Sequence, residues 1–253
     1  MQLTDEELLR YSRQILLKDV DVTGQLKLKA SSVLIVGVGG LGSPAALYLA
    51  AAGVGRLILA DYDKLDLTNL QRQVIYQTNQ IQQTKVAAAK QRLLALNPLL
   101  EIEPMALPIS DDNIESLVSS VAVVLDCSDN FLTRELINKT CVTLKKPLVS
   151  GAAIRLQGQI TVFDKRHMES PCYHCLFGTG GEQELTCSEA GILGPVVGII
   201  GAMQALEAIK LIVGFGQTLV GKLLLFDAAT SCFKEVKITA DPSCKVCGTA
   251  QNE

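Results

Sequence analysis

The sequence predicts an α/β protein built on a Rossmann-like, doubly wound, mostly parallel sheet with an antiparallel extension toward its C-terminus. Three observations carry this reading. Short apolar runs of strand length alternate with helical patterns through the first 150 residues. The first such run, SVLIV (32–36), leads directly into the glycine turn GVGGLG (37–42) and then a helical pattern. Beyond Gly151 the alternation stops, and QITVF (159–163), KLLLFD (222–227) and FKEVKI (233–238) follow as strands of a different arrangement.

The elements follow in order. Thr4 and Glu7 form a capping box that opens a helix carrying Leu8, Leu9, Tyr11, Arg13, Gln14 and Ile15. After the strand 32–36 and its glycine turn, Ser43-Pro44 reads as N-cap and first helical residue, and AALYLAAA ends at Gly53. The strand LILAD (57–61) completes a βαβ unit. A helix over 84–96 is closed by Asn97-Pro98. A strand near 101–106, a helix near 111–119 and the buried strand VAVVLD (121–126) come next. A helix over about 131–144 precedes the short strand LVSG (148–151). AATSC joins the last two strands as a hairpin. With no internal repeat or long linker, the chain reads as one domain over 1–253, with a nucleotide-binding half (1–150) and a second half (151–253).

Bulk properties narrow the function. A chain of 253 residues, 48% hydrophobic, supports a generous core. A net charge of −3 argues against nucleic-acid binding by bulk electrostatics. MQLTDEELLRYSRQ lacks the basic and apolar regions of a signal peptide. The apolar stretch 191–203 is short for a bilayer, and Gln204, Glu207 and Lys210 interrupt its continuation, so no membrane span is expected. These features predict a soluble cytoplasmic protein, whose eight cysteines are then ligands, nucleophiles or buried apolar groups in preference to disulfides.

GVGGLG, between strand and helix with an acidic residue about 20 positions on, predicts a nucleotide site. Gly37 permits the tight turn, Gly39 lets backbone approach phosphate, and Gly42 permits close helix–strand packing, with Gly40 a further nucleotide-binding candidate in the same turn. The helix N-terminus favours anions. Asp61 suits ribose hydroxyls. The motif identifies a nucleotide without separating NAD, FAD, S-adenosylmethionine and ATP. DLTNLQRQ (66–73) is more informative, because Arg72 suits phosphate oxygens, and Asn69 and Gln73 suit them or a metal-bound water. Lys85 sits in the first turn of its helix, where a cation opposes the macrodipole unless an anion lies nearby. The alternative is an exposed lysine without a role. In DCSDN (126–130), two carboxylates and an asparagine suit Mg²⁺, with Asp129 as principal ligand; a polar loop with an asparagine helix cap competes. Together these residues point to a triphosphate.

Cys172/Cys175 and Cys244/Cys247 form two C-x-x-C knuckles that match a structural tetrahedral Zn²⁺ site. A redox dithiol and an iron–sulfur cluster are the competing readings. His174, inside the first pair, reads as a bystander. Cys127 has no evident partner, Cys141 and Cys232 read as apolar filler, and Cys187, in a polar glycine-rich segment, is a candidate reactive thiol. Arg13 and Arg155 are further cations suited to a polyanion.

The chain resembles the MoeB/ThiF family, bacterial relatives of ubiquitin-activating enzymes. The resemblance runs through RYSRQILL (10–17), GVGGLGSPAALYLAAAGVG (37–55), LDLTNLQRQ (65–73), LDCSDN (125–130), SGAAIRLQGQITVF (150–163), GPVVGIIGAMQALEAIKL (194–211) and both cysteine pairs. It implies adenylation, with ATP and Mg²⁺, of the C-terminal glycine carboxylate of a small ubiquitin-like sulfur carrier ending in Gly-Gly, with release of pyrophosphate. It implies Arg13, Asn69, Arg72, Gln73 and Lys85 around the triphosphate, Asp61 on the ribose and Asp129 on Mg²⁺. Arg13 would come from the partner subunit of a homodimer, and Cys187 corresponds to a cysteine that links to the carrier in some members. The chain ends six residues after Cys247, so a separate persulfide donor is expected to supply sulfur. The 150–163 block looks like the molybdopterin branch, while RYSRQILL and GSPAALYLA look like the thiamine branch. The molybdopterin branch is preferred. Two other classes are compatible with parts of the pattern: an NAD(P)-dependent oxidoreductase, for GVGGLG and Asp61, and a non-catalytic zinc-stapled scaffold, for the cysteines.

Overall fold

In the computed structural model, which describes residues 2–178 and 190–248, one sheet of eight strands carries both halves of the chain. The strands are β1 (Ser32–Val36), β2 (Arg56–Ala60), β3 (Glu101–Met105), β4 (Val123–Asp126), β5 (Leu148–Ile154), β6 (Gln157–Phe163), β7 (Lys222–Asp227) and β8 (Cys232–Lys237). Their order is β3-β2-β1-β4-β5-β6-β7-β8. The first five run parallel, and β6, β7 and β8 add antiparallel. The expected fold class is therefore the observed one.

Strand alternation divides the core. Val33 and Ile35 of β1, Leu57 and Leu59 of β2 and Val123 and Leu125 of β4 face one apolar cluster. Leu34 and Val36, Ile58 and Ala60, and Val124 face the other. Both faces are covered, so these strands read as continuous apolar runs without polar alternation. One face packs against α4 (Gly42–Ala52), α5 (Lys85–Leu96) and α9 (Gly194–Val213), the other against α6 (Asp111–Ser119), α7 (Phe131–Thr143) and α8 (Tyr173–Phe177).

Several boundaries differ from the sequence expectation. The first helix is broken into α1 (Asp5–Arg10) and α2 (Ser12–Ile15). The break falls at Tyr11, whose side chain is buried and whose hydroxyl accepts from Asn97 Nδ2 at 2.8 Å. The capping box forms as expected: Thr4 Oγ1 accepts from the Glu7 amide at 3.2 Å, and Glu7 Oε2 from the Thr4 amide at 2.7 Å. A helix the pattern did not reveal, α3 (Asp21–Ala30), precedes β1; Gly24 and scattered polar residues blur its apolar face. The helix after the glycine turn starts at Gly42 with Leu41 as N-cap, so Ser43 is inside it and donates its hydroxyl to the Val38 carbonyl at 3.3 Å. The strand expected at 148–151 continues to Ile154 because it pairs along its whole length with β6.

The apolar stretch near residue 191 forms part of α9, one continuous helix of 20 residues that passes through Gln204, Glu207 and Lys210. By length and composition it is long and apolar enough to cross a membrane, which corrects the expectation that the polar residues end it. Their polar groups are satisfied inside the fold. Gln204 donates to the Asp126 carbonyl at 2.8 Å, while buried Glu207 accepts from Lys210 at 2.6 Å and from the Leu219 amide at 2.8 Å.

Candidate nucleotide and metal sites

A cleft of about 990 Å³ opens at the carboxyl ends of β1, β2, β4 and β5, where ligands bind in open α/β sheets. Gly37, Gly39, Gly40, Asp61, Asn69, Arg72, Gln73, Lys85 and Asp129 all line it. Residues spread over some ninety positions are thus brought to one wall by strand order.

The glycine turn forms the floor. Gly37 has φ +86°, open to glycine at little cost. Gly42 lies behind the cleft wall; a Cβ there would stand 1.9 Å from the Gly37 carbonyl oxygen. Gly42→Ala should therefore force the turn apart, lowering Tm by several degrees for a cost of about 1–3 kcal/mol and abolishing saturable ATP binding in calorimetry. Unchanged ATP affinity would show that the turn does not hold the nucleotide.

Asp61 directly follows β2 and is buried, with Oδ2 accepting from the Val38 amide at 2.8 Å and Oδ1 from the Asp63 amide at 2.9 Å. Burial raises its pKa, although Lys85 and the amides of Asp63 and Val38 pull the other way. The carboxylate thus shapes the turn as well as facing the cleft. Tyr76, absent from the sequence reading, supports the same loop: its hydroxyl donates to the Val38 carbonyl at 2.7 Å. Burial, followed by the charges of Asp61 and Asp63, raises its pKa and keeps it a donor.

Lys85 begins α5, as expected, and is buried. Its ammonium pairs with Asp63 Oδ2 at 2.6 Å, an ion pair the sequence reading missed. Asn69 is held by a short capping box in which its Oδ1 accepts from the Asp66 amide at 3.1 Å. Arg72 is half-buried and donates to the Thr68 carbonyl at 3.1 Å. Gln73 is 3% exposed, and its Oε1 has no hydrogen-bond partner among the described residues. An unpartnered buried oxygen on a cleft wall calls for a donor such as water or a hydroxyl.

The DCSDN loop does not gather its three side chains on one ion. Asp126 turns inward and is 1% exposed; Asn130 caps α7 by accepting from the Thr133 amide at 2.9 Å. Asp129 is exposed on the cleft wall, and no hydrogen bond or ion pair of its carboxylate occurs among the described residues. Arg155 also lines the cleft, at a hairpin turn with φ +54°. Arg13 does not reach the cleft of its own chain; it borders a separate pocket of about 360 Å³ with Arg10, Tyr48 and Leu206. Cys232, expected as filler, is exposed on β8 and lines the cleft, because its strand is the sheet edge. Cys141 is buried, and the Cys127 thiol reaches Gln204 Oε1 at 3.4 Å. Cys187 lies outside the described residues.

The four paired cysteines converge. Their sulfurs lie within 4.8 Å of one another, with Cys172–Cys175 at 3.8 Å, Cys172–Cys244 at 3.7 Å and Cys175–Cys247 at 3.4 Å. Tetrahedral bonds of about 2.3 Å require sulfur separations near 3.8 Å, so the cluster fits one ion. Amides of Asp241 and Val246 point at the Cys175 and Cys244 sulfurs, each at 3.4 Å, as thiolates would require. His174 is not a fifth ligand: its Nδ1 is 3.1 Å from Glu135 Oε2.

Comparison with known proteins agrees with this architecture. The ThiF family model matches residues 11–246. The molybdopterin-synthase adenylyltransferase of Salmonella typhimurium is 48% identical over 247 residues, covering 98% of this chain and 99% of that protein. The adenylyltransferase and sulfurtransferase MOCS3 of Anopheles gambiae is 47% identical over 98% of this chain, which spans 57% of its length. The crystal structure of E. coli MccB with ATP superposes with a TM-score of 0.82 at 25% identity, covering 94% of this chain and 74% of that one. The chain belongs to the ThiF family.

Proposed function

We propose that the protein is an ATP-dependent adenylyltransferase that transfers AMP to the C-terminal glycine carboxylate of a small ubiquitin-like sulfur carrier, in molybdenum cofactor synthesis. The observation that carries this reading is the convergence, in one cleft, of a glycine turn, the cations Arg72 and Lys85, and a carboxylate, Asp129, with no protein partner among the described residues. The 48% identity to a molybdopterin-synthase adenylyltransferase supports the carrier and the branch.

The chemistry brings two anions together. A carboxylate oxygen of the carrier attacks the α-phosphorus of ATP, the bond to the bridging oxygen breaks, and pyrophosphate leaves. No general base is needed, because a terminal carboxyl is ionised at pH 7. Arg72, Asn69 and Lys85 neutralise and orient the triphosphate, with Gln73 beside them. A cation about 4 Å from a phosphate charge contributes roughly 4 kcal/mol at an effective dielectric of 20. Asp61 takes the ribose, and Arg13 of the partner subunit completes the site in a homodimer. Mg²⁺, when bound through Asp129, adds charge neutralisation at the phosphates. The four cysteines hold a structural Zn²⁺. The chain acts as one adenylation domain, with the nucleotide half at 1–150 and a carrier-binding half at 151–253. A separate persulfide donor then converts the adenylate, and the enzyme works in the cytoplasm.

Intact-mass analysis tests this directly. Incubation with ATP, Mg²⁺ and a Gly-Gly-ended molybdopterin-branch carrier should add one AMP to the carrier, and Asp129→Ala should abolish the gain. A gain on the thiamine-branch carrier alone would reassign the branch. No gain on either active carrier would overturn the reading.

A further inference from the structure

Beneath the loop that presents Asp129 lies a buried charged cluster, of which Ser128 and Arg134 also line the cleft. Asp126, at the end of β4, is 1% exposed, and Arg134, one turn into α7, is 8% exposed. Asp126 Oδ1 accepts from the Ser128 hydroxyl at 2.6 Å and the Ser128 amide at 3.1 Å, and Oδ2 accepts from the Ser150 hydroxyl at 2.9 Å. Arg134 Nε lies 4.0 Å from Asp126 Oδ2, while Nη2 donates to the Ser128 carbonyl at 2.6 Å and approaches the Gly151 carbonyl at 3.4 Å. From the opposite side, Gln204 Nε2 donates to the Asp126 carbonyl at 2.8 Å. The backbone on either side of Cys127 is thus gripped from β5, α7 and α9.

Burying an ion pair is weak support for stability, since apolar replacements of similar volume often stabilise a fold. The cluster's distinguishing feature is its target. Nearly every bond ends on residues 126–128, immediately before a carboxylate that itself has no bond to the protein among the described residues. Resting on the reading of Asp129 given above, we propose that Asp126 and Arg134, with Ser150, are positioning residues that fix Asp129 for the metal–nucleotide complex. Groups that orient a metal-binding carboxylate typically change metal affinity by 10–100-fold when lost.

The test is calorimetric titration of the full-length protein with ATP, with and without Mg²⁺, alongside melting temperature. In Asp126→Asn, the Mg²⁺-dependent gain in ATP affinity should shrink about tenfold, while affinity without Mg²⁺ stays within twofold of wild type. Ser150→Ala, which removes one hydrogen bond, should shrink it about two- to threefold and decides the matter if Asp126→Asn does not fold. Asp129→Asn, measured in parallel, separates the two claims. If Asp129→Asn loses the Mg²⁺ dependence while the folded Asp126 and Ser150 variants keep it, the positioning inference is overturned. If Asp129→Asn keeps it, the assignment of Asp129 falls, and this inference with it. Equal weakening with and without Mg²⁺ would mark the cluster as merely structural and overturn the proposal.

Discussion

Arg72→Ala should lower carrier-dependent turnover of ATP by two to three orders of magnitude, read both as pyrophosphate exchange in the presence of carrier and as AMP transfer to it. The magnitude follows from the site's charge balance. The reaction assembles a triphosphate and a carboxylate at one point, and Arg72 is one of two cations, with Lys85, placed on the wall by the segment after β2. Lys85 already shares its charge with Asp63 at 2.6 Å, whereas the Arg72 guanidinium donates to a neutral carbonyl, that of Thr68. Arg72 therefore has more charge to give the phosphates. Because it is half-buried and bound only locally, Tm should move by no more than about 2 °C, as for surface substitutions. If turnover stayed within threefold, the cation assignment would be wrong.

Cys244→Ser should produce the largest loss of stability. The paired cysteines tie α8 to the segment after β8, and Cys244 is 4% exposed. Structural zinc supplies about 10–16 kcal/mol in small zinc domains, comparable to the whole stability of a typical protein. Even a fraction of that lowers Tm by well over 10 °C at about 2–4 °C per kcal/mol. Differential scanning calorimetry with and without chelator checks it; equal melting temperatures would remove the structural role. Metal retention should also fall with acidification. Burial opposes ionisation of Cys244, but amides of Cys247 and Val246 and the neighbouring thiols bring it down to about 7. Burial and the Cys175 thiol push Cys247 up to about 12. Binding as thiolates displaces protons from the high-pKa members throughout the neutral range and from Cys244 only below about 7. A chelator should therefore extract metal more completely at pH 6 than at pH 8.

What the sequence disclosed, and what it hid, has a physical basis. β1, the glycine turn and Asp61 were legible because strand, turn and carboxylate are close in sequence and each has a distinctive composition. The cysteine pairs were legible because their spacing survives any intervening fold. Residues that act through long-range pairing were not. Nothing in sequence joins Asp63 to Lys85, or Ser150 and Arg134 to Asp126, since strand order creates those contacts. DCSDN reads as three potential ligands, but alternation along β4 sends Asp126 inward, and the start of α7 consumes Asn130. Cys232 looked apolar because composition alone does not mark β8 as the sheet edge.

Helix α9 has a consequence for how the family can vary. Residues 194, 197, 201 and 204 fall on one side of it. A Cβ at Gly194 would come within 2.6 Å of the Gln71 carbonyl oxygen, and at Gly201 within 2.3 Å of that of Leu41. Val197 packs on Gly40, and Gln204 holds the Asp126 carbonyl. One rod therefore gauges the spacing between the arginine segment, the glycine turn and the aspartate loop. Deleting or inserting a single residue inside it would rotate the following contacts by about 100° and misalign those that lie beyond the change. Changes in chain length among descendants should accumulate in exposed connections, such as 165–169 and 228–231, while α9 keeps its count.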